Sequence, residues 1–523
     1  MDYFRKLEEL LKIERQEDQQ QFSRQSETLS VNDKRANGTA WYPIAIRDTE
    51  MGRGDYLTVE VERTTHQELP HQLRFGASAI LFSNHNRSEY KVEGVITHQS
   101  GNKLKISLRT DELPDWSRDG KLGIELLFDN NSYEEMIYAI KRAAQRLDKN
   151  DEANLIKVLT GERKPGFDNS NILLSPYENG SNTRLNESQQ SAVQKILSAN
   201  ELAIVHGPPG TGKTTTLVQA IKQMFHRDHK QILVTAPSNT AVDLLSEKLS
   251  EAGLNVLRVG NPARVSERLN SLTLDARMQQ HPGTKEMKKL KKQANEFRNM
   301  AHKYKRNFGK SERDQRKALF DEARNIMKTV ESTEQYVIDD LVSKANIITA
   351  TLVGTNHYTV KNLRYETVVI DEAGQALEPA CWIPILKANK VVLAGDHFQL
   401  PPTIKSETAA SQGLRNTLLE KTAVVHPEAL TLLEEQYRMN EQIMGYSSAK
   451  FYEGKLKAHG SVAHRVLSEG ERPFVFIDTA GCGFDEKLAG TSVTNPEEAS
   501  FLLKLLTQQV EQAVTLSLSP FPS

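Results

Sequence analysis

Apolar positions change their period several times along this chain. Tyr3, Phe4, Leu7, Leu10 and Leu11 recur at helical spacing in an otherwise charged segment, which predicts an amphipathic helix that needs a partner to pack on. From about 40 to 128 the period falls to two, in runs such as WYPIAI, YLTVEVERT, AILFS, YKVEGVITH, KLKISL and GIELLF, separated by turns such as MGRGD and QSGN. About five or six short strands at that spacing predict a small β-barrel. Ser132 followed by Glu135 is a capping-box signature that predicts a second helix, SYEEMIYAIKRAAQRL. Residues 161–182, with Pro165, Gly166, Pro176 and Gly180, read as a linker. The expected order is a stalk helix over 1–30, a barrel over 38–130, a second stalk helix over 131–160, then the linker.

Beyond the linker, continuous apolar strands alternate with helices: LAIVH (202–206), QILVTA (231–236), NVLRV (255–259), NIITAT (346–351), TVVID (367–371) and KVVLAG (390–395). Runs of that kind predict an α/β domain with a parallel sheet buried on both faces. Between the third and fourth strands Met287, Leu290, Ala294, Phe297, Ala301, Tyr304 and Phe308 follow a 3-4 spacing, and Leu319, Ala323, Ile326 and Val330 continue it. That pattern predicts a helical hairpin over 284–333. From about 428 onward, ALTLLEEQ and FVFID read as the start of a second α/β unit, with strands at roughly 430–435 and 473–478.

The 523 residues are too many for one core, and about three or four domains are expected. With 67 basic and 68 acidic side chains the chain is nearly neutral, so any polyanion must be met by a local patch. One such patch is the segment 285–328, where 15 Lys or Arg face 6 Asp or Glu, an excess of 15 − 6 = +9; it is either a nucleic-acid footprint or a solvated helix face. No apolar run reaches the ~18–20 residues that cross a bilayer, and the N-terminus is charged from its second residue, so no membrane association and a cytoplasmic location are expected. Cys381 and Cys482 are the two cysteines, which excludes a disulfide framework or a cysteine-based zinc cluster.

The chemistry concentrates after LAIVH. Gly207-Pro208-Pro209-Gly210-Thr211-Gly212-Lys213-Thr214 satisfies G-x-x-x-x-G-K-[ST] between an apolar strand and a helix beginning TTTLVQAI, with Thr215 next in line. Glycines there let backbone N–H groups and a helix N-terminus point at phosphates. Lys213 is expected on the β and γ phosphates of ATP, packing against nothing the core requires, and the Thr214 hydroxyl on Mg²⁺. Asp371 and Glu372 end an apolar strand, where the first carboxylate suits Mg²⁺ and the second suits a general base for the attacking water.

LNESQQSAV (185–193), GPPGTGKTTT (207–216), TAPSNTAVD (235–243), VVIDEAGQA (368–376), VVLAGDHFQLPP (391–402) and EEQYRMN (434–440) together resemble the ordered motifs of superfamily 1B DNA and RNA helicases, in the branch of the nonsense-mediated-decay and immunoglobulin mu-binding helicases. The resemblance implies a P-loop RecA-like domain over 183–427 carrying the hairpin, and a partial second RecA-like domain over 428–523. It implies Gln189 as the reader of adenine, Gln399 as the sensor of the γ phosphate, Arg438 as an arginine reaching that phosphate, and Tyr437 as an aromatic near the base. Pro237, Ser238, Asn239 and Thr240 match a motif that holds single-stranded nucleic acid, and Thr351 with Gly354 a further strand contact. The implied activity is ATP-dependent movement along single-stranded DNA or RNA with 5′ to 3′ polarity; protein partners are not indicated. No stretch near the end of the chain resembles the family's later motifs, so truncation of the second domain and impaired turnover are expected. A non-catalytic, ATP-gated nucleic-acid-binding module is the alternative.

Overall fold

The computed structural model describes residues 2–51, 57–74, 77–87, 89–110, 112–149, 154–168, 185–260, 267–302, 309–466, 472–489 and 492–518. Tyr56 and most of the MGRGD turn, residues 169–182 of the expected linker, and Tyr304 and Phe308 of the hairpin seam lie outside the described residues. The chain forms two compact units: Met1–Gly207 with Gly212–Leu433, and Pro208–Thr211 with Glu434–Ser523.

The first unit contains a barrel and a parallel sheet. Six antiparallel strands, β1 (Ala40–Met51), β2 (Leu57–Arg63), β3 (Ser78–Ser83), β4 (Lys91–Ser100), β5 (Lys103–Leu108) and β6 (Leu122–Leu126), close in the order β1-β2-β5-β4-β3-β6. Closure removes the sheet edges that six short strands would otherwise expose. The alternating apolar positions point inward, and Val59, Val61, Leu81, Ile96, Leu104, Ile106 and Ile124 are fully buried. Trp41 is fully buried with the Arg63 guanidinium over its ring at 5.1 Å, which makes it a core residue.

The amphipathic N-terminal helix, Asp2–Thr28, finds its partners in the helix Asn130–Lys149 and the segment Glu378–Ile385. Phe4, Leu7, Leu10 and Leu11 are buried, each contributing about 1.5–3 kcal/mol, and Phe4 meets Trp382 edge-on at 5.0 Å between ring centroids. Buried Glu14 accepts the backbone N–H groups of Lys405 and Ser406 at 2.7 and 2.8 Å, so its charge is satisfied away from water. The second stalk helix starts earlier than the capping box implies. Asp129, not Ser132, precedes the helix Asn130–Lys149, and its carboxylate accepts the Ser132 N–H at 3.4 Å and the Ser132 hydroxyl at 2.9 Å, while Glu135 accepts from Asn356.

The sheet comprises β7 (Leu202–His206), β8 (Ile232–Ala236), β9 (Val256–Arg258), β10 (Ile347–Thr351), β11 (Tyr365–Ile370), β12 (Ala388–Gly395) and β13 (Leu430–Leu432), all parallel, in the order β13-β7-β12-β11-β8-β10-β9. Strands buried on both faces have no polar face to show, and β7 and β8 are buried at every position. One expectation changes here. Leu430–Leu432 pairs with β7 and completes the first sheet, whereas its sequence reads equally well as the first strand of the next unit.

Between β9 and β10 the helices Pro282–His302 and Lys310–Lys344 pack as an antiparallel pair, with Met287 near the start of one against Val330 and Val337 late in the other. Ala294, Ala301 and Ala323 are buried in that pair. The second helix outruns the expected end at 333, because Val337, Ile338 and Val342 continue its apolar stripe to the threshold of β10.

In the second unit, Glu435–Gln436 pairs in parallel with Lys457–Ala458, and Lys487–Ala489 pairs antiparallel with Ser492–Thr494. The segment FVFID is not a strand: Phe474, Val475, Phe476 and Ile477 are exposed. An apolar run becomes a strand only where a neighbouring strand accepts its ladder, and none among the described residues does so here.

Candidate nucleotide and nucleic-acid sites

The phosphate loop begins where β7 stops. Gly207 donates its N–H to Gly395 O at 3.0 Å, and a Cβ at Gly207 would stand 2.9 Å from that of Lys213; glycine is required for the chain to fold back. Gly212 sits at φ +77° as N-cap of the helix Lys213–Asp228, a conformation that suits glycine. The helix therefore opens with unpaired N–H groups and the positive end of its dipole, with Lys213 and half-buried Thr214 in its first turn. Thr215 is exposed on that turn.

Lys213 is not idle. Its ammonium lies 2.6 Å from Glu372 Oε1 and 3.2 Å from Asp371 Oδ1. Burial opposes its charge, but the two carboxylates together outweigh that and hold the ammonium above its ordinary pKa. Asp371, at the end of β11, is pushed up by burial against the pull of Lys213. The fit to Mg²⁺-ATP rests on this donor set: one buried carboxylate and one hydroxyl, the few protein ligands Mg²⁺ takes when phosphates complete its shell. Among the described residues no group of three or more His, Cys, Asp or Glu forms a cage of its own. Glu372 adopts φ +51°, a strained backbone for a side chain bearing Cβ, of the sort that occurs at functional positions.

Gln399 follows β12. Its Nε2 donates to Asp396 Oδ2 at 2.9 Å, while Asp396 Oδ1 meets His206 Nε2 at 2.9 Å. The carboxamide is thus anchored through its nitrogen, with His206, the last residue of β7, bracing the anchor. His206 was not singled out by sequence reasoning; its place directly before the phosphate loop was the available signal. Gln189 is buried and acts as a helix cap, its Oε1 accepting Asn186 N–H at 3.1 Å, and its Nε2 lies 2.6 Å from where a Cβ on Gly212 would be. The capping role and a place beside the phosphate loop coexist.

The two segments expected to hold a nucleic-acid strand converge through sheet order. β8 and β10 are neighbours with Ala236 opposite Thr351, so Pro237–Thr240 and Thr351–Gly354 leave adjacent strand ends. Ser238 caps its helix, accepting Ala241 N–H at 3.2 Å. Asn239 Oδ1 accepts Arg258 Nη2 at 2.8 Å, and Arg258, fully buried, is held by Asp243 at 3.0 Å. That bond turns the Asn239 amide nitrogen away from Arg258 as a donor. Thr351 Oγ1 accepts Gly354 N–H at 3.2 Å. Arg258 is a second residue that sequence reasoning passed over, since an arginine within an apolar strand gives no motif.

In the second unit, Tyr437 N–H donates to Gly210 O at 2.9 Å, and a Cβ on Gly210 would lie 2.6 Å from that of Arg438. Thr211 Oγ1 donates to Pro208 O at 2.7 Å. Buried Gln436 accepts the N–H groups of Arg438 and Met439 at 2.8 and 2.7 Å and donates to Met439 O at 2.6 Å, fixing the turn from which exposed Arg438 projects. Tyr437 packs on His459 at 4.5 Å.

Two AAA domain families match, at residues 184–407 and 414–518. Rat DNA-binding protein SMUBP-2 is 33% identical over 84% of this chain and 46% of its own length. The chain belongs to the superfamily 1 helicases, in the branch that holds SMUBP-2 and the regulators of nonsense transcripts. The Drosophila melanogaster regulator of nonsense transcripts 1 homolog is 31% identical over 74% of this chain and 30% of its own. An uncharacterized ATP-dependent helicase of Methanocaldococcus jannaschii is 29% identical over 83% and 70%. The chain spans about half the length of the SMUBP-2 relatives it matches. No helix among the described residues is long and apolar enough to cross a membrane.

Proposed function

We propose that this helicase-family chain binds Mg²⁺-ATP at the phosphate loop and uses its hydrolysis to move along single-stranded DNA or RNA, 5′ to 3′ as the family resemblance implies. The observation that supports this reading is one sheet whose strand ends carry both sets of residues assigned here. Lys213, Asp371, Glu372 and Gln399 follow β7, β11 and β12, and Pro237–Thr240 and Thr351–Gly354 follow β8 and β10. Glycine backbone, the helix N-terminus and Lys213 bind and orient the phosphate chain. Mg²⁺, held through Asp371 and Thr214, supplies charge neutralisation on the phosphates when bound. Lys213 exchanges its carboxylate contacts for phosphate, which frees Glu372 to take a proton from the attacking water, while Gln399 presents its carboxamide oxygen to that water. Arg438 is assigned to charge stabilisation at the γ phosphate. In this reading Gln189 is the reader of adenine and Tyr437 an aromatic for the base, both as the family resemblance implies, and Pro208, Pro209, Gly210 and Thr211 belong to the phosphate-binding loop.

Glu372→Gln tests the assignment: nucleotide binding should persist while hydrolysis stops. Loss of binding in that variant, with binding retained in Lys213→Ala, would reverse the two roles. A second reading, ATP-gated binding without sustained turnover, is favoured by one observation: the described strands of the second unit are two or three residues long, thin support for aiming an arginine.

A further inference from the structure

One concave site of the first unit lies at the starts of strands, since its lining residues Arg364 and Lys387 directly precede β11 and β12, whereas the phosphate loop follows the end of β7. A cleft of about 700 Å³ opens between the stalk helix Asn130–Lys149 and the segments around Asn356–Arg364 and Ile383–Lys387. Five cations line it: Arg142, Arg146, Lys361, Arg364 and Lys387. The side chains of Arg142, Arg364 and Lys387 donate to neutral oxygens. Arg146 and Arg364 both donate to Leu386 O, Lys387 to Lys361 O at 2.6 Å, and Arg142 to the Tyr138 hydroxyl at 3.2 Å. Among the described residues no carboxylate lies within ion-pair distance of Arg142, Lys361, Arg364 or Lys387. The two acidic residues of the lining, Glu134 and Glu135, are engaged with Asn130 and Arg15, and with Asn356.

Like charges converging on a concavity repel one another unless an anion joins them. The Lys387 ammonium, 7% exposed, is pushed down to about 8, first by burial and then by Arg364 and Lys361, with Glu135 pulling the other way. The lining carries 5 − 2 = +3, which matches an anion of several charges better than a single carboxylate. Guanidinium forks suit phosphoryl oxygens, and Leu363, Ile383 and Leu386 give one wall an apolar face. The volume falls within the ~300–1,000 Å³ of small-ligand sites, and the lining carboxylates Glu134 and Glu135 disfavour a continuing phosphodiester chain.

We propose that this cleft binds a compact oligophosphate anion, free or as part of a nucleotide, at a site separate from the phosphate loop. Because the stalk helix forms one wall, occupancy would fasten that helix to the sheet domain. The test uses the full chain carrying Lys213→Ala, so that the phosphate loop is disabled, and titrates inorganic triphosphate and, separately, ADP by calorimetry. Saturable one-to-one binding is expected, weakened about tenfold or more when exposed Arg142 and Lys361 are both changed to Gln, with thermal melts confirming that the variants fold. Tighter binding of ADP than of triphosphate would assign a nucleotide; the reverse would assign a free oligophosphate. No saturable binding, binding indifferent to the Arg142→Gln and Lys361→Gln pair, or displacement of triphosphate by a 15-nucleotide oligothymidylate would overturn the proposal, the last by assigning the cleft to a strand.

Discussion

Replacing Lys213 with Ala should affect stability as well as nucleotide binding. The ammonium is the counter-charge of Asp371, which is 4% exposed and has one further bond, from Glu372 N–H at 2.9 Å. Removing one partner of a buried pair typically costs about 3–5 kcal/mol. Here the figure is smaller: the Glu372 side chain is a third exposed and contributes little, and Asp371 can take a proton instead of standing as an isolated charge. A loss of about 1–3 kcal/mol at pH 8 follows. Its pH dependence has a definite sign. Burial already raises the Asp371 carboxyl, and loss of Lys213 raises it further. A carboxyl with a folded pKa above its unfolded value binds its proton more tightly in the folded state, so stability falls as pH rises through that window. The deficit of Lys213→Ala relative to the parent should therefore grow from pH 5 to pH 8, and Lys213→Ala with Asp371→Asn should recover most of it. Urea unfolding followed at both pH values checks this. Equal stability of variant and parent at pH 8, or no recovery in the double variant, would refute the pairing as the source.

Other expectations are narrower. Burial pushes the Lys390 ammonium down to about 8, so the folded state holds fewer protons than the unfolded chain between about pH 8 and 10.5 and stability should rise across that window; Lys390→Met should stabilise by about 1–2 kcal/mol at pH 7 and flatten the rise in urea midpoints. Arg258→Lys keeps the charge but removes the fork that orients Asn239, so single-strand affinity should fall about fivefold to tenfold with ATP-analogue affinity unchanged, read by fluorescence anisotropy. Lys288, Lys289, Lys291 and Lys292 are exposed on the hairpin; if they contact phosphates, changing all four to Gln should lower the salt slope of strand binding by about 0.7 per contact, and an unchanged slope would make them a solvated face.

Legibility followed locality. The barrel strands, the parallel strands and the phosphate loop each announce themselves within some ten residues, because period-2 alternation, apolar runs and glycine spacing are local signals. Ordering them was not local: that β8 and β10 are neighbours, with Ala236 opposite Thr351, depends on crossovers that no window contains. The same limit explains Leu430–Leu432, whose apolar character fits either sheet until β7 is seen to accept it. The ion pairs of Lys213 with Asp371 and Glu372 escaped notice for a related reason, since Glu372 lies 159 positions away in sequence. Ser132 misled in the other direction, because Asp129 competes for the same cap with a better acceptor.

The central claim, that one sheet couples ATP to a single strand, is met most directly by steady-state ATP hydrolysis with and without oligothymidylate, on the chain and on Glu372→Gln. The structure predicts slow hydrolysis that rises on adding the strand, and its disappearance in Glu372→Gln with ATP still bound. A rate that ignores the strand, or that survives Glu372→Gln, would contradict the account.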